Sequence, residues 1–160
     1  YCFAQCTGLS DELVIPEGVT EIWNHAFWSC NKLSSVKFPN SLTTIGYKAF
    51  SECESLTGTL HIPLSVTIIY GQAFSYCKNI GAIKLHPGIQ LSGYGFFDHC
   101  SSLTELTIPE GWETTGKSSF SNCSSLTKVA LPESLKTIHI VKIPNFACGM
   151  PIESHTGIHG

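Results

Sequence analysis

Six cysteines recur along this chain at a nearly fixed interval. Cys6, Cys30, Cys53, Cys77, Cys100 and Cys123 are separated by 24, 23, 24, 23 and 23 residues. Three residues before each stands a phenylalanine: Phe3, Phe27, Phe50, Phe74, Phe97 and Phe120. Three residues after each stands Leu or Ile, at Leu9, Leu33, Leu56, Ile80, Leu103 and Leu126. Prolines keep the same step at Pro16, Pro39, Pro63, Pro87, Pro109 and Pro132. A period of this length belongs to stacked architectures, in which no unit buries its apolar side alone and neighbours share one core. The 160 residues are therefore read as a single repeat solenoid over 1–160, with about six repeats of 23–24 residues.

Each unit has a local logic. In the run Leu103 to Ile108, the apolar Leu106 and Ile108 alternate around Thr107, a short strand that Pro109 ends because proline cannot donate to a ladder. A second extended piece follows, clearest at Leu42–Ile45, with Gly46, Gly71, Gly93 and Gly116 providing a tight bend. Ala49–Cys53 reads as a short helical turn, with Phe and Cys three apart on one inward face. Strands stacked about 4.8 Å apart give a strip roughly 25–30 Å long, with stability falling off at both ends.

The segment Phe38–Leu56 follows the motif I-P-x-x-[VL]-x-x-I-G-x-x-A-F-x-x-C-x-x-L almost throughout. It resembles the BspA-type leucine-rich repeat family, over about Phe3 to Ile138. The resemblance implies a leucine-rich-repeat-like right-handed superhelix with a concave strand face. It also implies adhesion and protein–protein contact at a cell surface or in secreted form, including extracellular-matrix-like partners. Three departures stand out. Position 23 is Trp where the motif has Gly; Leu85–Leu91 reads as shifted by an insertion; after Ile138 the pattern dissolves. Residues 139–160 read as a degenerate terminal repeat or tail, with Phe146 and Cys148 as a worn Phe/Cys pair and Ile152 and Ile158 as a worn strand. With no polar cap visible, the chain reads as a fragment of a longer array, with neighbouring repeats or subunits at both open ends.

Composition narrows function. All nine basic residues are lysines and the net charge is −3. Without arginine, the usual fork for phosphate and guanine, nucleic-acid binding is excluded. No apolar run reaches the length of a membrane-spanning helix. No nucleophile elbow, zinc-protease helix or phosphate loop occurs, so the chain is read as no enzyme, with no cofactor and no metal. The cysteines occupy one position of successive units, so they read as a row of packed free thiols; mixed disulfides or a metal are the alternatives. His155 and His159, four apart, read as part of a frayed end.

Candidate partner-binding residues come from the strand period of two. One outward column is Val14, Lys37, His61, Lys84, Thr107 and Ala130; the next is Glu12, Ser35, Thr59, Ala82, Glu105 and Lys128. Lys37, His61 and Lys84 make its middle mildly basic, suited to an acidic protein partner, with Glu105, Thr107 and Lys128 further along. Loop aromatics form a second candidate set: Trp23, Trp28, Tyr47, Tyr70, Tyr76, Tyr94 and Phe96, with Trp23 and Trp28 foremost. The competing reading is a structural subunit docked permanently in an assembly.

Overall fold

The computed structural model describes residues 2–138 and the strand 153–154. It is a parallel β-solenoid. Five coils each contribute a strand to one face: β1 (Asp11–Val14), β3 (Leu33–Lys37), β5 (Gly58–His61), β7 (Ile80–Lys84) and β9 (Glu105–Thr107), followed by β10 (Lys128–Leu131). A second face carries β2 (Glu21–Ile22), β4 (Thr44–Ile45), β6 (Ile68–Tyr70) and β8 (Gln90–Ser92), paired in that order. The tail adds β11 (Glu153–Ser154), parallel to β10 at Ala130 and Leu131. Phe146, Cys148, Ile152, Ile158, His155 and His159 lie outside the described residues.

The expected helical turns are absent; a third ladder stands in their place. His25, Lys48 and Gln72 are left-handed, with φ of 57°, 53° and 55°, and so are Ser29, Glu52 and Tyr76 four residues on. Left-handed residues flanking each Phe prevent a helix, because they turn alternate N–H groups along the stack. The N–H groups of Lys48, Phe50 and Glu52 therefore donate to Gly71, Ala73 and Ser75 of the next coil, at 3.2, 2.8 and 2.8 Å. The remaining N–H groups close small turns, as Ala49 does on Gly46 at 3.2 Å. Phe and Cys still point inward, as the spacing predicts, but on turns.

The core is a set of columns. The rings of Phe3, Phe27, Phe50, Phe74, Phe97 and Phe120 stack with centroids 5.1–5.6 Å apart and planes within 11° of parallel. Beside them run the free thiols, buried from Cys30 to Cys123. Each is more than a small apolar filler. Cys53 Sγ donates to Phe27 O at 3.1 Å and Cys77 Sγ to Phe50 O at 3.2 Å, and Cys30, Cys100 and Cys123 repeat the bond. The same carbonyl takes the N–H of its own coil's Cys, so the thiol satisfies its second lone pair.

The alternation of 24 and 23 residues has a structural cause. β1 and β5 slip register at Asp11/Glu12 and Gly58/Thr59. Asp11 and Gly58 are left-handed, at φ 68° and 70°, so each 24-residue step stores its extra residue in a bulge. The fourth coil, by contrast, carries no insertion. Ile89 N–H closes on His86 O at 3.3 Å, as Val66 closes on Pro63 and Trp112 on Pro109. His86 thus occupies the proline position and Pro87 stands one place late. The imidazole is buried, with Nε2 2.9 Å from Pro63 O and Nδ1 accepting Gly88 N–H at 3.2 Å.

Further along this coil the core is rebuilt. Phe96 falls in the column of Ala26, Ala49 and Ala73, and the ladder sets Leu91, not Ser92, opposite Ile69 at the end of the column of Ile22, Ile45 and Ile69. Phe96 is fully buried, and Leu91 packs half-buried against the same core. The sheet of the second face ends at β8, and the next rung between these two coils is Tyr94↔Lys117. On the first face the same two coils share one rung, Ala82↔Glu105. The turn ladder and the Phe97–Phe120 stack hold this junction together.

Candidate functional site

The outward columns can now be placed. Lys37, His61, Lys84, Thr107, Glu105 and Lys128 are all exposed on the first face, while Leu33, Leu60, Ile83, Leu106 and Val129 point into the core. Two members behave differently. Val14 is an exposed apolar side chain at the first strand, and Ala130 is buried where β11 crosses it. The column is also not one continuous ladder. Val14 pairs with Lys37, and His61 with Lys84, but β3 and β5 are not ladder partners. Coils two and three meet at Thr57 N–H to Ser34 O, 3.0 Å, instead. The one-residue bulge at Gly58 sets Lys37 and His61 on adjacent but unpaired strands. None of the three forms an ion pair among the described residues, so the two lysine ammonium groups stay available.

The aromatic set divides. Phe96 belongs to the core and not to an interface, because it takes an alanine position that faces inward. Trp28 is half-buried, edge-on to His25 at 6.2 Å, and its indole nitrogen is buried with no partner. Burial, then Lys48, holds the His25 imidazole below its ordinary range. Tyr76 stacks on His99 at 4.2 Å, and Asp98 accepts from Asn122 Nδ2 at 3.1 Å and faces His99 Nδ1 at 3.0 Å. Trp23 is the most exposed of the large aromatics among the described residues, at 75%.

Trp23 belongs to a small site that the sequence reading did not assemble. With Glu21, Thr44, Gly46, Tyr47 and Tyr70 it borders a cavity of about 440 Å³ on the second face. The motif's glycine frame held the signal: Trp23 is the glycine position of coil one, Gly46 that of coil two, and Tyr70 that of coil three. A Cβ on Gly46 would sit 2.7 Å from Trp23 C and Asn24 N, so only glycine fits there.

Among the described residues no group of three or more His, Cys, Asp or Glu could hold a metal ion. No helix among them is long and apolar enough to cross a membrane. The buried thiols are poor nucleophiles. Burial pushes Cys53 and Cys123 up to about 12 and Cys77 and Cys100 well above the ordinary value.

Known proteins give the same picture of the fold. A model of the BspA type leucine-rich repeat region matches in six copies, over residues 1–90 and 56–145. Among solved structures, the T. pallidum leucine-rich repeat protein is 29% identical with a TM-score of 0.71, covering 78% of this chain and 60% of its own. A leucine-rich repeat protein from Bacteroides ovatus is 32% identical with a TM-score of 0.74, covering 84% of this chain and 34% of its own. This chain thus spans less than two thirds of either protein's length. No curated protein sequence matches it significantly. Six matched copies, a common coil geometry and the Phe–Cys columns that build it agree on one conclusion: the chain belongs to the BspA-type leucine-rich repeat family.

Proposed function

We propose that this chain is a non-enzymatic protein–protein interaction or adhesion module that holds an acidic protein partner on its first strand face. Membership of the leucine-rich repeat family suggests protein partners in general terms. The observation that carries the finer reading is the exposure of Lys37, His61 and Lys84, unpaired, on a face whose intervening side chains are buried. Such a ribbon presents charge on a rigid backbone, which costs little ordering entropy when a partner docks. Complementary charge would raise the association rate and fix register more than it raises affinity. Glu105, Thr107 and Lys128 extend the surface towards the last strands. An extracellular-matrix-like partner and a place at the cell surface or outside the cell rest on the resemblance alone.

The direct test is titration of the chain with a glutamate-rich peptide. The pair Lys37→Glu and Lys84→Glu should abolish binding that is sensitive to salt; unchanged affinity would rule out this face.

A second reading is supported by the first coil. Its end leaves a largely apolar cavity of about 510 Å³ bordered by Phe3, Leu9, Leu13, Ile15, Val19 and Ile22. A structural subunit docked permanently in an assembly would bury that surface. Isolation of the native complex separates the readings: a stable partner over the first coil favours the subunit, and a free first coil favours the recognition module.

A further inference from the structure

Resting on the reading of the first face as the seat of an acidic partner, we propose that this face takes up a proton at His61 when the partner docks, so that its grip tightens as the pH falls from 8 to 6. The histidines of the chain are otherwise engaged. His25 meets Trp28 and Tyr47 edge-on, at 6.2 and 5.3 Å. His86 is buried at its corner between Pro63 O and Gly88 N–H. His99 stacks on Tyr76 at 4.2 Å and faces Asp98 at 3.0 Å. Among the described residues, His61 is the histidine that is fully exposed and whose ring makes no hydrogen bond, ion pair or ring contact. A titratable ring left bare in the middle of a binding surface answers to a ligand and not to the fold.

The strand register fixes the surroundings of this ring. His61 ends β5 and lies opposite Lys84 of β7, one strand spacing away, about 4.8 Å. Leu60 and Ile83, the residues before them, are buried, so both side chains leave the sheet on its outer side. On the other flank Lys37 ends β3, across the junction where the two sheets meet without a ladder. The rest of β5, Gly58–Leu60, carries no charge, and neither do Ile62 and Pro63 after it. The first carboxylates along the register are Glu12, opposite Ser35, and Glu105, opposite Ala82. Each lies two strands from β5 and in the neighbouring column. This chain therefore sets lysines beside His61, and an acidic group that reaches the ring comes from a partner.

A lysine keeps its charge from pH 5 to 8, whereas an imidazole changes its own within that range. The two lysines thus supply a constant attraction and His61 a variable one. A partner carboxylate set against His61 stabilises the imidazolium and has no comparable interaction with the neutral ring. The complex then holds more protons than the free chain, and by linkage the affinity rises as the pH falls. The partner's own carboxylates stay ionised above pH 6 and do not cancel the gain. Because the ring is exposed, solvent screens the pair, and the gain between pH 8 and pH 6 is about threefold.

The test titrates the whole chain with an acetylated, amidated hexa-aspartate peptide at pH 8 and pH 6 and at one ionic strength. Isothermal calorimetry in two buffers of different ionisation enthalpy reads affinity and proton uptake together. Binding should be about threefold tighter at pH 6, with a fraction of a proton taken up per complex. His61→Gln, an exposed change outside the core, should abolish both the gain and the uptake. His61→Lys should bind more tightly than the parent at pH 8 and show no pH dependence. Lys37→Glu with Lys84→Glu should abolish binding at both pH values. Binding that the lysine pair abolishes but that is equal at the two pH values would overturn proton uptake and leave the first-face reading standing. A pH dependence that survives His61→Gln would put the proton elsewhere and overturn the proposal as well. No binding by the parent at either pH, or binding indifferent to the lysine pair, would overturn both.

Discussion

Raising the pH from 8 to 10 should weaken this solenoid through thiols that solvent never reaches. Burial is the first cause holding Cys53 and Cys123 at about 12 and Cys77 and Cys100 well above their ordinary 9.0; neighbouring thiols or acidic side chains add to it. A thiol whose folded value is raised contributes stability that is complete below pH 9 and is lost as the pH climbs towards the folded value, because the unfolded chain releases its proton first. From pH 8 to 10 each such thiol loses about 1.4 kcal/mol of stabilisation. Four of them together approach about 5 kcal/mol, comparable to the whole stability of many domains. Lysines and tyrosines titrate in the same range, so the comparison must be internal. Cys77→Ser with Cys100→Ser keeps hydroxyl donors for Phe50 O and Phe74 O and removes two titrations. In urea unfolding followed by circular dichroism, the double variant should lose about 3 kcal/mol less than the parent between those pH values. Parallel losses would refute the reasoning, because they would mean that the thiols ionise as easily inside the stack as outside it.

Gly46→Ala should cost about 3 kcal/mol or more in urea unfolding, because its Cβ would press on backbone at 2.7 Å, whereas Gly8→Ala, with nothing within 4 Å, should be nearly neutral. Phe96→Ala should cost about 3–5 kcal/mol, read the same way, because its ring is fully buried in the core. Native-state hydrogen exchange should be fastest within the stack at residues 113 and 114, where the second ladder is interrupted; protection equal to that of β4 and β6 would contradict the missing rungs.

How much of this was legible beforehand varies by residue. The Phe, Cys and Leu columns were readable because a stack places each period at one height, so identity and spacing alone assign Phe74 and Cys77 to the interior. The outward exposure of Lys37, His61 and Lys84 followed from the strand period of two. The helix at Ala49–Cys53 was misread, since a Phe-x-x-Cys spacing suits a helical turn and a left-handed turn equally; φ at Lys48 and Glu52 decides between them. The insertion at Leu85–Leu91 was misread because proline was taken as the marker, and the turn accepts His86 as well. The cavity bordered by Trp23 draws Glu21, Gly46 and Tyr70 from three coils, so no single stretch of sequence contains it.

By itself the sequence determined that the chain must stack, at what period, and which side chains line the shared interior, because those follow from burial and repetition. Tertiary structure alone decided where the ladders break. A rung forms only when two neighbouring coils present matching backbone at the same height. One bulge residue at Gly58 lengthens its step to 24 residues and moves that height on the strand face, while the Phe column stays stacked.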